Sequence, residues 1–204
     1  MIAMQPILEL TKSYGFDLWP VIEPETYAWF PLSGELTPAE VGTAVWCIVD
    51  YNDDPEDAAR PADPVDAFLF GMLTADLAIV AGGLRVVDDS TGTTFVPGCC
   101  DGLEDWREWR RLLSPGGRIA FGHPPVSPLA ERVGDKILLT VDAEQDTSPT
   151  IELTDADLTR TLAGVERDLT DFLGLVVEWA PQHLPGREAA VITAIAGVLD
   201  LPVP

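Results

Sequence analysis

"LRVVDDSTGTTFVP", residues 84–97, sets two short β-rich runs on either side of Asp-Ser-Thr-Gly. Valine, threonine and phenylalanine suit a pleated, half-buried surface, and the polar group between the runs is turn chemistry, so the stretch predicts a β-hairpin. A hairpin makes antiparallel neighbours, and no regular strand–helix–strand alternation surrounds this one. The reading is therefore α+β: a mostly antiparallel sheet with hairpins, flanked by helices and closed by a C-terminal helical pair.

Downstream, "FVPGCCDGLEDWREW" (95–109) leads into a short helix expected over 103–113, with Asp101 as its cap and Ser-Pro-Gly-Gly (114–117) as its end. Leu103, Trp106, Trp109, Arg110 and Leu113 recur at three- and four-residue steps, which places both tryptophans on one face. RIAFG (118–122) and KILLTVD (136–142) predict further strands, and DAEQDTSPT (142–150) an acidic loop. Thr154 followed by Asp157 is an aspartate variant of the capping box. It opens a helix whose Leu158, Leu162, Val165, Leu169, Phe172, Leu173 and Val176 share a face, with Pro181 expected to stop it. A last helix is expected over 187–199.

Upstream, Asp63-Pro64 predicts a helix start, aspartate as N-cap and proline at the first helical position. Val65, Phe68, Leu69, Met72, Leu73 and Leu77 follow at helical spacing, and Gly82 and Gly83 are expected to end the helix in left-handed geometry. Residues 50–66, DYNDDPEDAARPADPVD, hold seven acids, one arginine and three prolines, which marks an exposed loop. The whole chain is expected to form one acidic domain, with the 52–63 loop as the candidate internal boundary. GFDLWPVIEP (15–24) and GTAVWCIVDYN (42–52) read as strands, with PLSGELTPAE (31–40) as turn and connection.

With 204 residues and 47% hydrophobic positions, the chain is long enough to bury a core without a disulfide or metal staple. Twelve basic against thirty-four acidic residues give a net charge of −22. Such a field repels nucleic acid and anionic lipid and attracts basic partners, so neither nucleic acid nor membrane is an expected partner. The two lysines beside ten arginines also fit a GC-rich coding bias, which is a compositional source for the same acidity. The opening MIAMQPILELTKSYG lacks a basic region followed by an apolar run, and no stretch reaches ~18 apolar residues. Three cysteines, an odd count, read as free thiols, and the protein is expected in the cytoplasm.

Few motifs carry chemistry. Cys99 and Cys100 are adjacent, unlike the C-x₂₋₄-C spacing of structural zinc sites; His123 with Cys47 could complete such a site, and His123 and His183 are the only histidine bases for a catalytic cysteine. Cys100 stands before the 103–113 helix, whose dipole favours a thiolate, yet Asp101, Glu104 and Asp105 oppose it. A small metal- or thiol-dependent enzyme built around Cys99, Cys100 and His123 is thus the alternative reading. Asp50, Asn52 and Asp54 match the first calcium-loop positions, but Pro55 and Pro61 occupy the places of the required glycine and glutamate. No cofactor or metal is expected, and no catalytic residue is assigned.

Six of the twelve basic residues, Arg107, Arg110, Arg111, Arg118, Arg132 and Lys136, cluster around the tryptophan helix. Either they pair internally with the acidic excess, or Trp106, Trp109 and Arg110 form an exposed anchor of the kind enriched at interface hot spots. In the second case the same helix could also bind copies of this chain, and the oligomeric state stays open.

The "PGCCDGLEDWREW" segment (97–109), followed by "GHPPVSP" (122–128), resembles uncharacterised cytoplasmic proteins of GC-rich bacteria. Proteins of this small acidic type look like immunity proteins, which bind and block a cognate bacterial toxin. The resemblance implies a protein-binding role, not an enzyme, and carries over no catalytic residue. An acidic inhibitor gains association speed against a basic toxin by charge complementarity. The expected contact residues are Asp53, Asp54, Glu56 and Asp57 in one acidic loop and Asp142, Glu144 and Asp146 in the other, with Trp106, Trp109 and Arg110.

Overall fold

The structure, a computed structural model, describes residues 1–10, 15–23, 28–97, 102–122 and 126–204. In chain order its elements are β1 (Ile2–Leu10), β2 (Ala28–Pro31), α1 (Pro38–Asp50), α2 (Pro64–Thr74), β3 (Gly82–Asp88) and β4 (Thr93–Phe95). A 3₁₀ helix (Leu103–Leu113) follows, then β5 (Arg118–Ala120), β6 (Leu129–Val133), β7 (Lys136–Thr140), β8 (Thr150–Leu153), α3 (Asp155–His183) and α4 (Glu188–Val198). The class is α+β with two four-stranded antiparallel sheets, ordered β2-β1-β3-β4 and β5-β6-β7-β8. Among the described residues no helix is long and apolar enough to cross a membrane.

The chain divides into two compact units, Met1–Ile7 with Ala81–Arg167, and Leu8–Val80 with Asp168–Pro204. β1 and α3 each contribute to both. The 52–63 loop lies inside the second unit.

In the first unit the 84–97 hairpin forms as its residues dictate. Val86 faces Phe95 and Asp88 faces Thr93. Asp88 closes the turn by accepting from the Ser90 N–H at 2.9 Å, and Gly92 adopts φ +72°, a left-handed conformation that favours glycine. β5 to β8 form a meander in which Ala130, Leu139 and Ile151 sit opposite one another and are buried. Leu138, Glu152 and Lys136 point the other way along these strands, the period-two alternation of a sheet with one covered face. The capping box at Thr154 is present: the Thr154 N–H donates to Asp157 at 3.2 Å and the Asp157 N–H to Thr154 Oγ1 at 3.1 Å. Every residue of the expected α3 face, from Leu158 to Val176, is buried.

Four expectations are corrected. Residues 42–50 are helical, not a strand. Thr37 and Glu40 form a capping box with Pro38 in the first turn, and nine consecutive residues, Val41 to Val49, are buried. A helix covered on every side loses its polar stripe, so its β-branched run imitates a buried strand. Residues 15–23 form no strand either. They run irregularly against α1, where the Trp19 Nε1–H donates to the Gly42 carbonyl at 2.8 Å and the Ile22 N–H to Thr43 Oγ1 at 2.8 Å.

α2 begins at Pro64 with the Asp63 side chain accepting from Val65 and Asp66, as expected, but stops at Thr74. Leu77 therefore lies beyond the helix, and Gly82 and Gly83 open β3 instead of capping α2. Pro181 does not stop α3, which continues to His183. It sits within the last turn, where the Leu184 N–H closes on the Ala180 carbonyl at 2.8 Å.

Candidate functional site

The tryptophan segment is core, which corrects its reading as an exposed anchor. Trp106 and Trp109 are 1% and 3% exposed. The segment winds as a 3₁₀ helix, three residues per turn, so side chains three apart stack on one line. Leu103, Trp106, Trp109 and Leu112 make that line, while Leu113 is only half-buried and Arg110 is exposed. Trp109 packs against Phe95 edge to face (6.0 Å, 88°) and tilts on Phe121 at 5.2 Å. Tryptophan is the largest apolar side chain available, and burial removes it as a contact for any partner.

The basic cluster around it is matched by acids of the same unit. Arg107 meets Glu166 at 2.9 Å and Arg110 reaches it at 3.8 Å. Arg111 pairs with Glu108 at 2.8 Å, and Arg118 approaches Glu131 at 3.9 Å. Arg132 holds Asp155 with two contacts, 2.6 and 3.1 Å, and Lys136 pairs with Glu152. The Arg107 guanidinium also lies 4.1 Å from the centre of the Trp106 ring, a cation–π contact. These six cations serve the fold.

The acidic loop 142–149, also in the first unit, is built around one of its own carboxylates. Asp142 is 5% exposed. It accepts from the Ser127 and Glu144 N–H groups, each at 3.2 Å, and from Gln145 Nε2 at 2.6 Å. Hydrogen bonds to the ionised form favour it, so the backbone N–H groups of Glu144 and Ser127 hold this carboxyl below its ordinary range. Asp142 is thus a structural acid. Glu144 and Asp146 are exposed.

The acidic loop 51–63 belongs to the second unit and is held differently. Asn52 is its fastening. Its Nδ2 donates to the Ile48 carbonyl at 2.7 Å and the Ile79 carbonyl at 2.8 Å, and its Oδ1 accepts from the Ile79 N–H at 2.9 Å. On the other side Gly71 of α2 lets the backbone approach: a Cβ there would lie 1.9 Å from the Asn52 carbonyl oxygen. Asp53 pairs with Arg60 and is largely covered. Asp54 and Asp57 turn the chain by accepting from the Glu56 N–H (3.0 Å) and Ala59 N–H (2.8 Å), yet remain exposed, as does Glu56. Among the described residues no lysine or arginine pairs with these three. At the end of α1, partial desolvation and then the charge of Asp53 push the Asp50 carboxyl up.

The four acids expected at 53–57 are therefore brought together, three of them facing solvent. The two expected acidic loops fall in different compact units. Asn52 and Gly71 were not singled out from the sequence; a glycine inside an apolar helical run was the available signal for a close backbone approach.

Of the thiols, Cys47 is buried on α1, donates to the Glu9 carbonyl at 3.0 Å, and is pushed up to about 12 by desolvation, with Asp50 and Glu9 adding to it. A thiol so placed is held protonated at neutral pH and is a poor nucleophile. Cys99, Cys100, Asp101 and His123 lie outside the described residues. Among those described, no group of three or more His, Cys, Asp or Glu side chains is arranged to hold a metal ion. His183 stacks on Trp179 (4.6 Å, 22°) beside a pocket of about 240 Å³ walled by Val41 and Leu175.

Comparison with family models, curated proteins and solved structures finds no significant match for this chain.

Proposed function

We propose that this chain is a protein-binding domain whose partner is basic, and that it acts as an immunity-type inhibitor of a cationic toxin. The observation that carries this reading is the solvent-facing set Asp54, Glu56 and Asp57, unmatched by any described cation, on a chain of net charge −22. Carboxylates without a cationic partner project a field outward, and complementary fields raise association rates by about 10- to 1,000-fold at low salt. The loop is also fixed in place by Asn52 and Gly71, so little conformational freedom is lost when a partner docks.

The test uses the wild-type chain and the Asp54→Asn/Glu56→Gln/Asp57→Asn variant, whose side chains keep their hydrogen-bond acceptors. Each is immobilised, exposed to native lysate and eluted in rising salt, and the retained basic protein is then purified for stopped-flow association. The variant is expected to release it at lower salt, to associate about tenfold more slowly, and to show a flatter dependence of rate on ionic strength. Equal kinetics for both chains would move the interface off this loop.

A further inference from the structure

The described chain leaves eight large apolar side chains exposed, and four of them, Tyr51, Leu73, Leu77 and Ile79, fall between residues 51 and 79 of the second unit. That concentration is not a consequence of sequence proximity alone. Asn52 ties the Ile79 backbone to the end of α1 through two hydrogen bonds, which sets Tyr51 and Ile79 on either side of one fastening. The Gly71 approach brings α2, and with it the Leu73 turn, against the same stretch of backbone. Leu77 is 80% exposed on the connection that leaves α2, between the C-cap residue Ala75 and the anchored Ile79.

Single exposed apolar residues are ordinary, whereas a group of them rimmed by polar ones marks an interaction surface. Here the rim has one sign. Asp50, Asp54, Glu56 and Asp57 are exposed in the chain on either side of Tyr51 and Asn52, and Asp76 is exposed between Leu73 and Leu77 in sequence. Arg60, the only cation of residues 50–79, is held by Asp53.

We infer that Tyr51, Leu73, Leu77 and Ile79 form the docking surface for an apolar anchor that a basic protein partner carries flanked by lysines or arginines. The inference deepens the acidic-loop reading above and rests on it. Charge complementarity selects the occupant. A second copy of the chain would bring two acidic rims face to face, and an anionic bilayer would be repelled. A partner with basic residues around a leucine, methionine or aromatic side chain satisfies both halves of the surface: the anchor is desolvated at the centre while ion pairs form at the edge.

The experiment measures binding of two synthetic peptides of equal positive charge by fluorescence anisotropy, one interleaving lysine with leucine at helical spacing, the other interleaving lysine with glycine. Three variants are compared with wild type: Tyr51→Ser/Leu77→Ser on the apolar surface, Asp54→Asn/Glu56→Gln/Asp57→Asn on the rim, and Asp89→Asn/Asp105→Asn/Asp135→Asn as an equal loss of charge from exposed positions in the other unit. Melting curves confirm that each variant folds.

The apolar variant is expected to bind the leucine peptide about tenfold more weakly and the glycine peptide as wild type does. The rim variant should lose affinity for both, and the control variant should stay within about twofold of wild type. Equal binding of the leucine peptide by wild type and the apolar variant overturns the docking surface, while rim-variant losses for both peptides leave the acidic-loop reading standing. A rim variant that binds like the control overturns that reading as well. Concentration-dependent mass that vanishes in Tyr51→Ser/Leu77→Ser would instead assign the surface to a second copy, and partition onto zwitterionic vesicles lost in the same variant would assign it to lipid; either result overturns the proposal.

Discussion

The loops 51–63 and 142–149 are alike as sequences, both acidic, polar and closed by a proline (Pro64 and Pro149), and they are built on opposite plans. In the second, a carboxylate is the fastening: Asp142 is buried and accepts three hydrogen bonds, two from backbone N–H groups. In the first, the fastening is neutral. Asn52 makes three hydrogen bonds, Gly71 admits the backbone, and Asp54, Glu56 and Asp57 are left to the solvent. Charge density along a chain therefore does not identify an interface. What distinguishes a surface acid from a structural one is where its oxygens find donors.

The sharpest way to break the contrast is at Gly71. Gly71→Ala would place a methyl group 1.9 Å from the Asn52 carbonyl, so the loop or α2 must move. We expect a loss of about 2–3 kcal/mol in urea unfolding, with weaker partner binding even in molecules that remain folded. An unchanged unfolding midpoint would mean that the loop gives way without cost, and that its position is not set by this approach.

A second, smaller effect separates the loops by pH. Asp142 has a folded pKa below its unfolded value near 3.9, so it contributes stability that is complete above that value and is lost as pH falls through the folded one. Asp155 and Asp157, lowered by Arg132 and Thr154 respectively, act in the same direction. Wild type should lose stability steadily below about pH 4. Asp142→Ala should start several degrees lower in Tm at pH 7 and change less on acidification, which melting curves at pH 7 and pH 3 will read. Parallel curves would deny Asp142 its role as a fastening.

The smallest effect sharpens the comparison at its edge. Asp50 ends α1, where the helix dipole disfavours an anion, no basic residue occupies the last turn, and burial and Asp53 already raise its pKa. Asp50→Asn should stabilise the protein by about 0.5 kcal/mol. Its ionised form is the one the fold disfavours, so the gain is present at neutral pH and disappears as acid protonates Asp50 in the wild type. No gain at pH 7 would show that neighbouring water screens this site fully.

Local chemistry made much of this fold legible. Asp63-Pro64, Thr154 with Asp157, and the 84–97 hairpin each announce their structure within a few residues, because a cap or a turn satisfies its own backbone groups. What failed was periodicity where burial erased or altered it. α1, covered all round, carried its helix signal only in the Thr37–Glu40 box ahead of it. The 3₁₀ step of three moved Leu112 inward and Leu113 outward. Of the candidate site, acidity was legible and allocation was not. Asn52 bonds across 27 residues and Asp142 across 15, separations at which a single sequence carries no pairing information.

The division of β1 and α3 between two units has a consequence for synthesis. Neither unit is a continuous piece of chain: one takes residues 1–7 and 81–167, the other 8–80 and 168–204. α1 is made before residues 81–167, and Trp179, whose ring reaches Gly42, only after all of them. At roughly 5–20 residues per second, that apolar helix waits on the order of ten seconds for its covering. The nascent chain must therefore carry this apolar helix without that cover while residues 81–167 are made, which makes the acidic run at 50–66 a solubilising neighbour before it is anything else.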